Sequence, residues 1–147
     1  MIKQLTKQEI INALPLVWKV FNEYEAVNYL ASGTQAFYNA IHDEDFLNQL
    51  SAYGAFDGET LIGILAARSE DSHVALFFVD GAYHRQGIGR RLWNALLADS
   101  DKDEITVNSS LYAVEIYEKL GFIKTSEQQE NSGIRFVPMV YRNKKGQ

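Results

Sequence analysis

The sequence predicts a single α+β domain in which about four helices flank a mixed, mostly antiparallel sheet of about seven strands. The chain has 147 residues, enough for one domain with a sizeable buried core. Its apolar spacing changes near residue 50 from the period of helices to that of strands. Later, a helix separates two predicted strands, and such a connection makes neighbouring strands parallel.

The N-terminal third predicts one short strand and then helices. The strand is residues 2–5, and Thr6 with Glu9 forms a capping box that starts the first helix. The apolar phase of this helix continues through Pro15, which favours one kinked helix over two separate ones. The tripeptide Ser32-Gly33-Thr34 interrupts the pattern. Two further helices are predicted after it, one with an inward face at residues 37, 40 and 41 and a short one over residues 45–50.

The middle of the chain predicts a three-stranded meander. Residues 52–56 and 61–67 are strands joined by Asp57-Gly58, a strong hairpin signal. After a turn at residues 69–72, the apolar run from His73 to Val79 is typical of a central strand covered on both faces.

The C-terminal part predicts a helix from residue 92, a strand over residues 104–108, a second helix and a final strand pair. Ser109 or Ser110 is expected to cap that second helix, and Gly121 to end it in a left-handed conformation. The last strands are residues 123–125 and 134–141, followed by a frayed tail over residues 142–147.

Composition excludes several kinds of protein. The net charge of −5 argues against a general nucleic-acid binder. The first sixty residues hold eight acids and three lysines, which suits either a cationic ligand or a solvated surface. Without cysteine there is no disulfide, thiolate nucleophile or cysteine-bound zinc, and no metal is expected. No stretch approaches the ~18 apolar residues of a membrane span, so we expect a cytoplasmic protein without a membrane partner.

A glycine-bearing turn lies between the central strand and the following helix, over residues 84–91. The first N–H groups of a helix have no partner inside it, and the helix dipole adds positive charge there. Gly87 and Gly89 would let an anion approach the backbone closely. A P-loop would need Gly-Lys-Ser/Thr, and a dinucleotide fingerprint would need glycine where Leu92 stands, so neither motif is present.

Residues 79–92 resemble the pyrophosphate-binding motif of the GNAT superfamily of N-acetyltransferases, usually written Gln/Arg-x-x-Gly-x-Gly/Ala. His84 stands where Gln or Arg is usual. Residues 106–110 and 113–122 are similar to the second motif of that superfamily, with its Tyr-Glu-Lys-Leu-Gly-Phe ending. The resemblance is specific over residues 73–125, and the predicted order of elements fits the fold along the whole chain.

The resemblance implies a single domain over residues 1–147, with the acetyl-CoA motifs in residues 73–125 and the acceptor side in residues 1–60. The two parallel strands would separate and hold the pantetheine arm, with main-chain contacts from Phe78 and Val79. The side chains of Arg85, Arg90 or Arg91 would add charge, although a solvated helix face explains Arg91 equally well. The implied acetyl-CoA-binding residues are Phe78, Val79, His84, Arg85, Gln86, Gly87, Ile88, Gly89, Arg90, Asn108 and Tyr117.

Acetyl transfer needs no protein nucleophile, because the amine attacks the thioester directly. The resemblance assigns protonation of the leaving thiolate to Tyr117, for which a core aromatic is the alternative. Asn108 would anchor the arm or cap the following helix. A base for the amine is harder to find, since the apolar strand has no acid in its interior. The candidates on the acceptor side are Glu23, Glu25 and His73.

The sequence therefore predicts an acetyl-CoA-dependent N-acetyltransferase acting on a small-molecule or peptide amine. The alternative is a catalytically silent acyl-CoA-binding regulatory domain on the same fold. The protein is expected to be a monomer or a homodimer and to bind no nucleic acid. The sequence does not identify the acceptor.

Overall fold

The computed structural model describes residues 1–143 and contains five α-helices and eight strands. Two short 3-10 turns lie at Ala26–Asn28 and Gly81–Tyr83. The helices are α1 Lys7–Tyr24, α2 Ala31–Ile41, α3 Glu44–Asn48, α4 Ile88–Asp99 and α5 Val114–Leu120. The strands are β1 Ile2–Leu5, β2 Ser51–Asp57, β3 Thr60–Arg68, β4 His73–Val79, β5 Glu104–Ser109, β6 Ile123–Lys124, β7 Gln129–Asn131 and β8 Ile134–Arg142.

The strands form one mixed sheet in the order β1-β2-β3-β4-β5-β8-β6, and β7 pairs with β8. Within residues 1–143, each pair of neighbouring strands is antiparallel except β4 and β5, which run parallel because α4 connects them. The predicted α+β class and the parallel pair are confirmed. The short strand β7 is the one that the sequence did not predict.

Each face of the sheet carries its own apolar core. On one face, α1 packs its buried side chains, including Val17 and Phe21, against Ile64 and Leu76 of the sheet. On the other face, α4 packs its buried residues, such as Trp93, against the remaining strand side chains. The central strands are therefore covered on both sides, which explains the continuous apolar run of β4.

The parallel pair β4–β5 separates along its length. Its register covers only His73 with Thr106 and Val74 with Val107. Beyond these residues β4 stays paired with β3 up to Val79, and β5 stays paired with β8. The carboxyl ends of the two strands thus diverge, as the family resemblance implied, and leave an opening in the middle of the sheet.

Helix α1 begins and continues as predicted. The Thr6 hydroxyl accepts a hydrogen bond from the Glu9 N–H at 3.2 Å, and the Glu9 carboxylate accepts one from the Thr6 N–H at 2.9 Å. Pro15 lies inside a single uninterrupted helix. The helix therefore reaches Tyr24, at the edge of the opening between β4 and β5.

The tripeptide Ser32-Gly33-Thr34 does not interrupt a helix, contrary to the prediction, because it lies in the first turns of α2. The reason is a tertiary contact. A Cβ added to Gly33 would lie 2.2 Å from the carbonyl oxygen of Gly133, in the β7–β8 turn. The Leu30 N–H also donates to that oxygen at 3.1 Å. Glycine at position 33 thus lets the hairpin turn approach the helix backbone.

We expect Gly33→Ala to destabilise the fold, because its Cβ would overlap backbone atoms that cannot move independently. Overpacking of this kind costs about 1–3 kcal/mol, or roughly 2–12 °C in Tm for a chain of this size. Gly89→Ala is the matched control, since that Cβ would meet only the Phe77 ring at 3.4 Å. Thermal unfolding of the two variants measures the difference, and equal Tm values would contradict the contact.

The cap of α5 also differs from the prediction. The helix begins at Val114 without a side-chain cap, and the Ser110 hydroxyl instead accepts the Ala113 N–H of the preceding turn at 3.2 Å. Its C-terminus is as predicted, with Gly121 at φ 109° and the Phe122 N–H bonded to the Tyr117 carbonyl. Of the predicted frayed tail, residues 144–147 lie outside the described residues, and Arg142 belongs to β8.

None of the helices in residues 1–143 has the length and apolar character needed to cross a membrane.

Candidate functional site

A cleft of about 850 Å³ lies where β4 and β5 separate. It is bordered by the end of α1, the end of β4, the loop before α4, and α5 with the turn before it. The lining includes apolar, aromatic and charged side chains. Among the lining residues are Tyr24, Glu25, Phe77, Phe78, Val79, His84, Arg85, Gly87, Ile88, Gly89, Tyr112, Glu115, Tyr117 and Lys119.

One end of the cleft is the loop that starts α4. Gly87 is the N-cap residue with φ 79°, and Arg85 also has a positive φ of 63°. The Arg91 N–H bonds back to the Gly87 carbonyl, so the N–H groups of the preceding first turn have no acceptor within the helix. The helix dipole adds positive charge at this point. This end of the cleft therefore suits a phosphate group.

The polar and cationic side chains near this end of the cleft differ in whether they line it. Arg85 and Lys119 line the cleft, whereas Gln86, Arg90 and Arg91 are exposed and absent from its described lining. The Arg90 guanidinium donates to the Lys119 carbonyl at 2.7 Å and so ties α4 to α5. Arg85 and Lys119 are therefore better placed than Arg90 and Arg91 to pair with a bound anion.

The edge of β4 that faces the opening offers main-chain groups. The Asp80 N–H bonds to Ile62 of β3, and because backbone direction alternates along a strand, the groups of Val79 point away from β3. The Val79 carbonyl accepts a hydrogen bond from His84 Nε2 at 2.8 Å. The Phe78 main chain faces β3, since its oxygen lies 3.4 Å from the Cβ position of Gly63. The expected main-chain contact from Phe78 therefore needs correction, although this residue, only 5% exposed, still borders the cleft.

Tyr117 lies at the inner end of the cleft on α5. It is only 6% exposed, and its ring contacts Phe77 and Phe122 with centroid separations of 5.9 and 5.2 Å. Burial, and then the charge of Glu25, raises the pKa of Tyr117 well above its ordinary value. The phenol is therefore protonated at neutral pH and able to donate a hydrogen bond.

Glu25 directly follows α1 and is half-buried in the cleft. Burial raises the pKa of its carboxyl to about 7, while a hydrogen bond from the Ser110 side chain opposes the shift. Burial and the charge of Glu25 together raise the pKa of Tyr29 to about 12. Near neutral pH this carboxyl can therefore both accept and release a proton.

The other candidate residues lie elsewhere. Glu23 is exposed on α1, and Asn108 is exposed on β5 opposite Pro138. His73 starts β4 at its paired end, where Nδ1 lies 2.7 Å from Thr106 Oγ1; burial and then Arg68 lower its pKa to about 4. None of these three residues belongs to the described lining of the cleft, so the sequence-based assignments to Glu23, His73 and Asn108 are not supported by their positions.

Two tyrosines in the cleft were not among the sequence candidates. The Tyr24 ring lies 4.9 Å from the ring of His84 and 5.3 Å from that of Tyr112. A Cβ added to Gly81 would overlap the Tyr24 hydroxyl, so glycine at position 81 leaves room for the Tyr24 side chain in its present position. No spacing in the sequence links these residues, because three separate elements bring them together. Within residues 1–143 no cluster of three or more acidic or histidine side chains could hold a metal ion.

Comparison with known proteins agrees with this geometry. The family model of the acetyltransferase (GNAT) domain matches residues 5–143. A search of curated proteins gave no match.

Three solved structures illustrate the similarity of the fold. A GCN5-related N-acetyltransferase from Rhodopseudomonas palustris has a TM-score of 0.81 at 16% identity, over 97% of this chain and 94% of that one. PaiA N-acetyltransferase from Thermoplasma acidophilum, in complex with coenzyme A, has a TM-score of 0.75 at 17% identity, over 97% of this chain and 99% of that one. YjaB from Escherichia coli has a TM-score of 0.72 at 18% identity, over 96% of each chain. Since the family model covers almost the entire described chain, this protein belongs to the GNAT acetyltransferase family.

Proposed function

We propose that this protein transfers the acetyl group of acetyl-CoA to a primary amine. One observation carries the proposal: a single cleft joins an anion-binding helix start to a protonated tyrosine and a half-buried carboxyl. The acceptor would be a small-molecule or peptide amine. The cytoplasmic location and the monomeric or dimeric state remain predictions.

The residues of the cleft fit acetyl-CoA as the donor. Its pyrophosphate would lie at the N–H groups of Gly87, Ile88 and Gly89, with Arg85 and Lys119 nearby. The amide groups of its arm would pair with Val79, in the gap where β4 has no neighbouring strand. PaiA, which shares this fold, was crystallised with coenzyme A.

In the proposed reaction the amine nitrogen attacks the thioester carbonyl. A C–N bond forms, the C–S bond breaks, and the sulfur leaves with the electron pair of that bond. Tyr117 donates a proton or a hydrogen bond to this sulfur, which lowers the energy of the departing thiolate. The ring contacts with Phe77 and Phe122 hold the phenol in one orientation.

The amine must lose protons during the reaction. Holding an alkylamine of pKa near 10.4 in its neutral form at pH 7 costs about 4–5 kcal/mol. A carboxyl whose pKa is about 7 is ionised enough to accept a proton and neutral enough to release it later. We therefore assign Glu25 as the general base, on the side of the opening that faces α1.

We expect Gly89→Leu to abolish the rise in Tm that acetyl-CoA gives the wild-type protein. The helical backbone accepts leucine at this position, but its Cβ would already contact the Phe77 ring at 3.4 Å, so the rest of the side chain would occupy space in the cleft that both residues line. The dissociation constant should rise at least tenfold, or about 1.4 kcal/mol. Asn94→Leu on the exposed face of α4 is the matched control and should keep the full shift. An undiminished shift in Gly89→Leu would remove the phosphate assignment.

The same assay separates catalysis from mere binding. A catalytically silent acyl-CoA-binding domain would show the thermal shift with acetyl-CoA but release no coenzyme A in the presence of any amine. Release of free thiol that depends on the amine, measured with a thiol reagent, supports the transferase.

A further inference from the structure

The Glu25 carboxyl has aromatic neighbours. Its charge acts on the phenols of Tyr29, Tyr112 and Tyr117, which lie on or beside three different elements. None of the ion pairs within residues 1–143 includes Glu25, although its side chain is half-buried in the cleft. A half-buried carboxylate in such surroundings lacks a cationic partner, and an ammonium group is the natural one.

The surroundings of this carboxyl are apolar as well as aromatic. Phe78 and Val20 line the cleft on its inner side. The 3-10 turn that follows Glu25 leads to the 86% exposed Val27 and the 48% exposed Leu30. A ligand that reaches Glu25 past this turn would therefore meet hydrocarbon and rings rather than charge.

We propose that the acceptor is a primary monoamine on an aromatic or alkyl body, with no carboxylate and no second ammonium group. This inference rests on the proposed acetyl transfer and narrows its acceptor. The ammonium group would approach Glu25, and the apolar body would pack among Tyr24, Tyr112 and Phe78.

Free α-amino acids fit this end of the cleft poorly. Their carboxylate would come close to Glu25, and like charges in a partly buried place repel strongly. Arg85 lines the same cleft, but it forms no ion pair with Glu25. A carboxylate on the acceptor would therefore meet Glu25 without a cation placed to offset it.

Diamines and polyamines fit poorly for the opposite reason. A second ammonium group would need a second carboxylate. The other acid of the described lining, Glu115, is exposed on α5, so it offers no carboxylate among the buried aromatic rings. The second charge of a diamine would therefore lose its hydration among aromatic rings without a partner.

Matched acceptors test the proposal. 2-Phenylethylamine, phenylalaninamide and phenylalanine share one benzyl body and differ in the group beside the amine. We expect kcat/KM to fall in that order, with phenylalanine at least 100-fold below 2-phenylethylamine.

Butylamine and 1,4-diaminobutane form a second matched pair, and kcat/KM for the diamine should be at least tenfold lower. Acceptor binding is measured separately, as the added rise in Tm of the protein saturated with coenzyme A.

The outcomes separate this inference from the function on which it rests. Phenylalanine or 1,4-diaminobutane used as well as its matched monoamine would overturn the inference and leave acetyl transfer standing. An acetyl-CoA shift in Tm without amine-dependent thiol release from any acceptor would overturn both.

A variant tests the charge argument directly. Tyr112 is 39% exposed, so its replacement by arginine should fold and would bring a cation near Glu25. We expect Tyr112→Arg to raise the kcat/KM ratio of phenylalanine to 2-phenylethylamine at least tenfold. Tyr112→Gln removes the ring without adding charge and should leave that ratio within threefold of wild type. An unchanged ratio in the arginine variant would contradict the proposal.

Discussion

Replacing Glu25 with glutamine should lower kcat by roughly 100- to 10,000-fold at pH 7.5, the range that a general base contributes. Glutamine keeps the size and polarity of the side chain but cannot accept a proton from the attacking amine. The dissociation constant of acetyl-CoA should change less than twofold, because Glu25 follows α1, whereas the proposed phosphate site is the loop that starts α4. Steady-state kinetics and a thermal shift titration measure the two quantities separately.

The pH dependence gives this prediction a second test. A base works in its deprotonated form, so kcat/KM should rise with pH through the Glu25 pKa of about 7. The Ser110 hydrogen bond lowers that pKa, and Ser110→Ala should therefore move the rise to higher pH. Glu23→Gln is the control, because Glu23 is exposed and only two residues away. A Glu25→Gln variant with wild-type kcat and an unchanged profile would exclude the assignment.

The same substitution should stabilise the fold. The pKa of Glu25 rises from 4.5 to about 7 on folding, so the folded state binds more protons between these values. The carboxyl therefore costs stability progressively as the pH increases through this range, and the full cost is present above pH 7. We expect Glu25→Gln to gain roughly 1–2 kcal/mol at pH 8 and little at pH 4, after allowance for solvent screening. Unfolding at both pH values measures this gain.

Local signals predicted most of the fold. The capping box at Thr6, the hairpin at Asp57-Gly58 and the left-handed cap at Gly121 each determine the backbone within a few residues. Two of the differences from the prediction had other causes. The helix through Gly33 depends on a contact with Gly133, one hundred positions away, which no local pattern reports. The strand β7 is short and fully exposed and pairs with the nearby β8, so it carries no apolar alternation that would predict it.

The two ends of the cleft also differed in how far local sequence signals could predict them. The phosphate end is one continuous loop, so its motif was visible in the sequence. The acceptor end depends on which face of α1 meets the opening in the sheet. Glu23 and Glu25 are about 200° apart around a helix, so at most one of them can face the cleft. The sequence supplied both residues, and the three-dimensional fold selects Glu25.

Tyr117→Phe should reduce kcat by about 100-fold while acetyl-CoA binding and Tm stay near the wild-type values. Phenylalanine keeps the ring contacts with Phe77 and Phe122, so the loss would report the hydroxyl alone. Because burial and Glu25 raise the pKa of this phenol, it remains a donor throughout the neutral range, and no loss of activity on its account is expected below about pH 9.

The control for this substitution is Tyr112→Phe, which removes a hydroxyl from the same cleft but farther from the buried end. It should keep kcat within threefold of wild type.

A proton donor to the leaving sulfur matters less when the thiolate is already a good leaving group. An acyl thioester of a more acidic thiol should therefore narrow the gap between wild type and Tyr117→Phe. A gap that stays constant across such donors would place the hydroxyl outside the bond-breaking step and leave Tyr117 a packing residue of α5.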